Sequence, residues 1–187
     1  ALFRDANFRW LLSGAVITNL GDQFTLIALP WLVLQMTHDT RILGIVLALI
    51  SIPRAIFILV GGAVVDRYNP KQVLMITKYV NTVLLGLLAA LVLRQDAQLW
   101  MIYALSLGLG ISTAFSIPSG MSILPQVVQA AQLAPANGMM MGLRQLALFL
   151  GPLLAGLMLA MFATEADDSV SDLHGLGAAF AIDALSF

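Results

Sequence analysis

The sequence predicts an all-α membrane protein, a bundle of helices that each cross a bilayer. Three observations carry that expectation. Apolar residues fill 60% of the 187 positions and charged residues only 10%, more apolar surface than a soluble domain of this size can hide. The apolar residues fall into five long runs, each near the ~20 residues that a helix needs to span the hydrocarbon core. Short polar turns separate the runs. A net charge of −1 points to no nucleic-acid partner. The absence of cysteine excludes disulfides and thiolate metal sites.

Helix one is expected over about 8–36. Its Trp10 and Trp31 stand roughly 32 Å apart along a helix, a separation that suits an aromatic pair at the two interfaces. The apolar run after Arg9 is too long for a signal peptide and carries Asp22. Helix two follows over 41–66, with Pro53 freeing the carbonyl of Leu49 and so expected to kink it. In the next turn Asn69 is placed to cap helix three (71–94), with Pro70 in its first position. Helix four (98–124) carries Gly108, Ser112, Ser116 and Gly120 at four-residue intervals, a small-residue stripe that lets backbones approach in lipid. An uncharged, glutamine-rich loop is expected at 125–134, helix five at 135–163 and an acidic loop at 164–174. The segment 175–187 begins a sixth helix that is too short to cross. The whole chain, 1–187, therefore reads as the N-terminal transmembrane part of a longer protein.

Arg4, Arg9, Arg67, Lys71 and Lys78 fall on one side of this arrangement, and only Arg41 and Arg94 on the other. The positive-inside rule then puts the N-terminus in the cytoplasm.

Few ionisable residues lie deep in the spans: Asp22, Arg54, Arg144 and Asp183. Such residues are costly in a bilayer and usually face a cavity or a partner. Asp22 lies about 20 Å past Arg9, and Arg54 about 18 Å before Asp66 on the returning helix. The two are therefore expected to meet near the midplane, the depth at which solute-carrying membrane proteins hold substrate and coupling ions. Asn19, Asp22 and Gln23 share one helical face as a polar stripe. One reading is a static buried pair that holds helices one and two together; the other makes Asp22 a proton carrier and Arg54 its charge partner. Arg144, about 13 Å into helix five and beside Gln145, either neutralises an anionic substrate group or pairs with an acid on a neighbouring helix. Asp183 stands too near the end of the chain for its role to be read.

Enzyme signatures are missing. His38 and His174 fall in expected outer loops without metal-ligand spacing, and there is no P-loop, nucleophile elbow or HExxH. Gly108-Leu109-Gly110 lacks the preceding strand of a dinucleotide fingerprint. No catalytic residue, metal or cofactor is expected.

The turn Gly62-x-x-x-Asp66-Arg67, with Lys71 five residues past the aspartate, resembles the signature loop between helices two and three of the major facilitator superfamily. The family most often has glycine where Asn69 stands. The resemblance implies a major facilitator fold, here the N-terminal six-helix bundle with five complete helices and the start of the sixth, and about six further helices in a C-terminal half. It also implies that Asp66 and Arg67 join a charge network that holds an inner gate shut. The alternative is a capping cluster in which Arg67 and Lys71 touch anionic lipid headgroups. On helix five, Gly142 followed by Gly151, Pro152 and Gly156 resembles the antiporter motif of proton-coupled exporters in the superfamily. Leu20-Gly21-Asp22, Ala28-Leu29-Pro30-Trp31, Phe115-Ser116-Ile117-Pro118 and Leu133-Ala134-Pro135-Ala136-Asn137-Gly138 are similar to the branch that holds the enterobactin exporter and macrolide-efflux proteins. Helix four lacks the membrane arginine of the drug–proton antiporter branch.

These resemblances imply a multi-pass transporter of the bacterial inner membrane that exports a small molecule, such as a drug, siderophore or metabolite, by alternating access against proton entry. Its partners are that substrate, the proton, the lipid bilayer and the C-terminal half. An uncoupled facilitator or importer is the alternative within transport. A membrane scaffold or receptor is the alternative from another class, and midplane charges argue against it, since a scaffold has no need to bear their cost.

Overall fold

The computed structural model describes residues 6–162 and 169–187, with side chains over 7–157 and 173–187. Arg4, the last position of expected helix five (163) and positions 164–168 of the expected acidic loop lie outside them. Six helices follow one another: α1 (Ala6–Thr37), α2 (Thr40–Arg67), α3 (Pro70–Leu93), α4 (Leu99–Val127), α5 (Leu133–Phe162) and α6 (Ser169–Ser186). The first five are long and apolar enough to cross a membrane.

The turns between them are set by side-chain chemistry. Asp39 caps α2 by accepting from the Arg41 amide at 2.8 Å, after His38 has turned the chain in the left-handed region (φ 50°). Asn69 caps α3 by accepting from the Lys71 amide at 3.0 Å, and Pro70 takes the first helical position, as its missing N–H allows. At the end of α3, Gln95 is left-handed (φ 59°) and the Asp96 amide reaches the Leu91 carbonyl at 3.0 Å, closing the helix with a six-to-one bond.

Two boundaries differ from the sequence expectation. The loop at 125–134 is mostly helical: α4 runs through Pro125 to Val127, and a 3₁₀ turn at Ala130–Gln132 leads into α5 at Leu133. Proline withholds only its own N–H, and the Val128 amide still bonds the Leu124 carbonyl at 3.1 Å. Helix six also begins early, at Ser169, so His174 stands in a helix rather than a loop, although the apolar stretch is confined to Leu173–Ser186.

Packing has an internal symmetry. α2 lies chiefly on α4, as α5 lies on α1; α3 bridges α4 and α6, as α6 bridges α1 and α3. The pattern is unchanged when α1, α2 and α3 are exchanged for α4, α5 and α6. Three crossings separate the members of each exchanged pair, so the two three-helix units run in opposite directions, an inverted repeat.

Close approach between α2 and α4 rests on glycine. A Cβ at Gly110 would lie 2.5 Å from the Ile50 carbonyl oxygen, and one at Gly61 2.5 Å from that of Ala114. The expected stripe behaves differently along its length: Gly108 faces Leu84 and Ser112 bonds the Thr77 carbonyl at 3.3 Å, both on α3, while nothing approaches Gly120. The tightest seam on α4 is thus Gly110 and Ala114, a different face from the one the spacing suggested.

Two apolar clusters hold the ends of the bundle. One gathers Leu29, Leu32, Leu88, Ile102 and Phe180 from α1, α3, α4 and α6. The other gathers Phe8, Leu124, Val128 and Ala136 at the opposite end. Between them α1 carries its polar residues, and there the candidate site lies.

Candidate functional site: a charged cluster in the middle of the bundle

Asp22 stands at the middle of α1. Protein surrounds its carboxylate on most sides, yet the residue keeps surface open to the outside of the bundle. Lys78 of α3 and Arg144 of α5 are the cations whose attraction reaches it. Asp183 of α6, only 1% exposed, is the second acid and repels Asp22 across the same space. Two acids and two bases from four helices thus form one cluster without net charge.

Hydroxyls tie the cluster together. The Lys78 ammonium donates to Thr18 Oγ1 at 2.9 Å, and Thr18 donates in turn to the Ser186 carbonyl at 3.0 Å. Ser186 Oγ lies 3.2 Å from Asp183 Oδ1 and donates to the Asp183 carbonyl at 2.7 Å. The Lys78 ammonium also lies 5.2 Å from the Phe187 ring centroid, within cation–π range. Gly21 makes this crossing possible, because a Cβ there would lie 2.6 Å from Asp183 Oδ1. The Thr25 hydroxyl faces the Asp183 carboxyl without reaching hydrogen-bond geometry, and Gln23 Oε1 is likewise buried without a partner.

Arg54 does not belong to this cluster. It sits at the middle of α2, the depth expected for it, but α2 leans on α4 and meets α1 only along a short stretch. Arg54 is exposed, and Asp22 has Lys78 and Arg144 as its cations instead. The depth arithmetic gave the right level, and the packing of α2 gave a different neighbour. The stripe of Asn19, Asp22 and Gln23 is divided as well. Asn19 donates to the Ala15 carbonyl of its own helix at 2.6 Å, whereas Gln23 is buried against Gly151 of α5.

Of the helix-five residues, Gly151 is buried at this α1–α5 crossing, Pro152 is exposed next to it, and among the described residues nothing approaches a Cβ at Gly142 or Gly156. In the α2–α3 turn, Asp66, Arg67 and Lys71 are all exposed, and Gly62 has open space around it. Lys78 is the residue that sequence reasoning misplaced. It was counted with the basic residues of one membrane side, yet it lies about 12 Å into α3. That depth was the available signal.

An inverted pair of three-helix units, with five spans long enough to cross a bilayer and charges held midway, defines a multi-pass membrane protein of the secondary-transporter type. The family model of the Major Facilitator Superfamily matches residues 11–184, and the chain belongs to that superfamily. It is 30% identical over 158 residues to the multidrug efflux pump Tap of Mycolicibacterium fortuitum, covering 80% of this chain and 38% of that protein. It is 28% identical over 136 residues to the enterobactin exporter EntS of Salmonella typhimurium, and 26% identical to that of Shigella boydii, in each case over 72% of this chain and 32% of the relative. The chain therefore spans about a third of the length of the relatives it matches. No solved structure matches it.

Proposed function

We propose that this chain forms the N-terminal half of a bacterial inner-membrane transporter that exports a small molecule by alternating access, driven by proton entry. The observation that carries the reading is the neutral cluster of Asp22, Lys78, Arg144 and Asp183, with Asp22 open to the outside of the bundle. Midplane charges mark ion and substrate pathways, and the relatives' printed roles are efflux of drugs and of enterobactin.

In this reading Asp22 takes up the proton. Protonation removes one negative charge from a balanced cluster, which leaves Lys78 and Arg144 in excess and loosens the hold between α1 and its neighbours on α3 and α6. Arg144 and Arg54 are both exposed, which leaves them free to attract anionic groups of a substrate or to meet the C-terminal half. Gly151, seated on Gln23, is the pivot at which α5 moves against α1. Asp66, Arg67 and Lys71 form the gate at the turn, and their exposure leaves them available to a second half. The N-terminus faces the cytoplasm.

The test uses the full-length protein in inverted membrane vesicles energised by respiration, with an internal pH dye and with a cationic dye or enterobactin as trial substrates. Substrate-triggered proton release that disappears in Asp22→Asn supports coupled export. Substrate movement without any pH response would make the protein a facilitator and Asp22 a structural ion-pair partner.

A further inference from the structure

An open-sided groove of about 610 Å³ runs between α2, α3 and α4, lined by none of the four charged residues of the cluster. It exists because α2 and α3 each lean on α4 and scarcely touch one another. Val73, Ile76, Val80, Leu84, Ile111 and Phe115 give its wall an apolar face. Two hydroxyls, of Thr77 and Ser112, stand within this wall, and both are already satisfied. Thr77 donates to the Leu74 carbonyl at 2.9 Å, and Ser112 to the Thr77 carbonyl at 3.3 Å. Away from the Tyr68–Gln72 end the wall therefore offers a guest no free donor, and the natural occupant of that part is hydrocarbon.

Its length and its mouth narrow the choice further. From Gln72 to Leu84 the groove follows α3 for about 18 Å, close to the ~15 Å depth of one leaflet's hydrocarbon. Tyr68 and Gln72 line the end nearest the α2–α3 turn. Arg67 and Lys71, their neighbours in sequence, are both exposed there and outnumber the single acid, Asp66.

We propose that this groove binds an anionic phospholipid of the surrounding bilayer, one acyl chain lying between α2 and α3 and the headgroup held by Arg67 and Lys71. The surface potential of an anionic leaflet and a pair of cations beside a hydrocarbon slot are complementary. The site is independent of the transported substrate, since no residue of α1, α5 or α6 lines it.

The test places full-length protein, with every native tryptophan, Trp10, Trp31 and Trp100 among them, replaced by phenylalanine, in nanodiscs holding small fractions of brominated-chain phosphatidylglycerol or phosphatidylcholine. Val80→Trp reports from the groove, and Val83→Trp, on an exposed part of α3 outside it, is the control. Quenching at Val80→Trp is expected to favour phosphatidylglycerol by about fivefold for each cation in contact. The preference should vanish in Arg67→Gln/Lys71→Gln, and Val83→Trp should show none. Equal quenching by both lipids at Val80→Trp would overturn the site. So would no quenching there, which would mean that protein rather than lipid covers the groove. Size-exclusion profiles confirm that each variant is folded, and none of these readouts depends on transport.

Discussion

Lys78 Nζ donates to Thr18 Oγ1 across 2.9 Å, so a lysine of α3 is fastened to α1 one helical turn before Asp22. A lysine at this depth in a span has two choices, to extend towards a headgroup or to find partners inside. Here it has a hydroxyl, an aromatic ring and the Asp22 carboxylate within reach. The same hydroxyl bonds the backbone of α6, so one lysine joins three helices.

The first prediction follows from that link. Lys78→Met leaves two acids facing Arg144 alone and removes the charged hydrogen bond to Thr18, a loss of about 1.5–3 kcal/mol. Adding Asp22→Asn removes the uncompensated charge and should recover part of the loss. A double-mutant cycle on the thermal stability of detergent-solubilised protein is expected to give a coupling of about 0.5–3 kcal/mol. Additive effects would mean that Asp22 and Lys78 do not sense each other.

Arg54 supplies the contrasting prediction. It shares the depth of Asp22 but not its surroundings, so Asp22→Asn and Arg54→Gln should add within about 0.3–0.5 kcal/mol. Their effects on transport should also separate, with proton coupling lost in Asp22→Asn and substrate affinity altered in Arg54→Gln. A large coupling energy between them would restore the direct pair.

The difference between these two pairs shows what the sequence can and cannot reveal. Helix count, the α2–α3 turn with its Asn69 cap, and the depth of each charge are local properties, fixed by hydrophobic length, capping chemistry and the rise of a helix. Which helices are neighbours is not local. Helices one and two are consecutive in the chain, yet α2 packs on α4 because Gly61 and Gly110 permit backbone contact there. Periodicity marked Gly108 to Gly120 as a stripe and was silent on Gly110, whose value depends on Ile50 lying opposite it. Lys78 was hidden for a related reason: a basic residue near a helix start counts equally well towards topology, and only α1 and α6 show that it turns inward.

Adjacent glycines in α2 give a sharp test of that packing. Gly61→Ala places a methyl 2.5 Å from the Ala114 carbonyl oxygen, a backbone atom that cannot yield alone, whereas Gly62→Ala meets nothing within 4 Å. Overpacking of this kind costs about 1–3 kcal/mol, and alanine at Gly62 gains helix propensity of up to about 1 kcal/mol. The melting temperature of the protein should therefore fall for Gly61→Ala and hold or rise for Gly62→Ala. Equal effects would place the α2–α4 seam elsewhere.

The α1–α5 crossing carries the last prediction. Gly151 receives the Gln23 side chain so closely that any Cβ would meet Gln23 Cβ and Cγ, while Gln23 Oε1 is buried without a partner. Gly151→Ala should thus destabilise the bundle by about 1–3 kcal/mol. Gln23→Ala removes Cγ, the nearer obstructing atom, together with the orphaned oxygen, whose burial by itself costs about 1–3 kcal/mol, and keeps only Cβ against the new methyl. The double variant is therefore expected to be more stable than Gly151→Ala alone, even though it carries one more substitution. Thermal unfolding of the four proteins in one detergent decides it. If Gly151→Ala melts as the parent does, the two helices do not cross at this glycine, and its place as a pivot between α1 and α5 is lost with the contact.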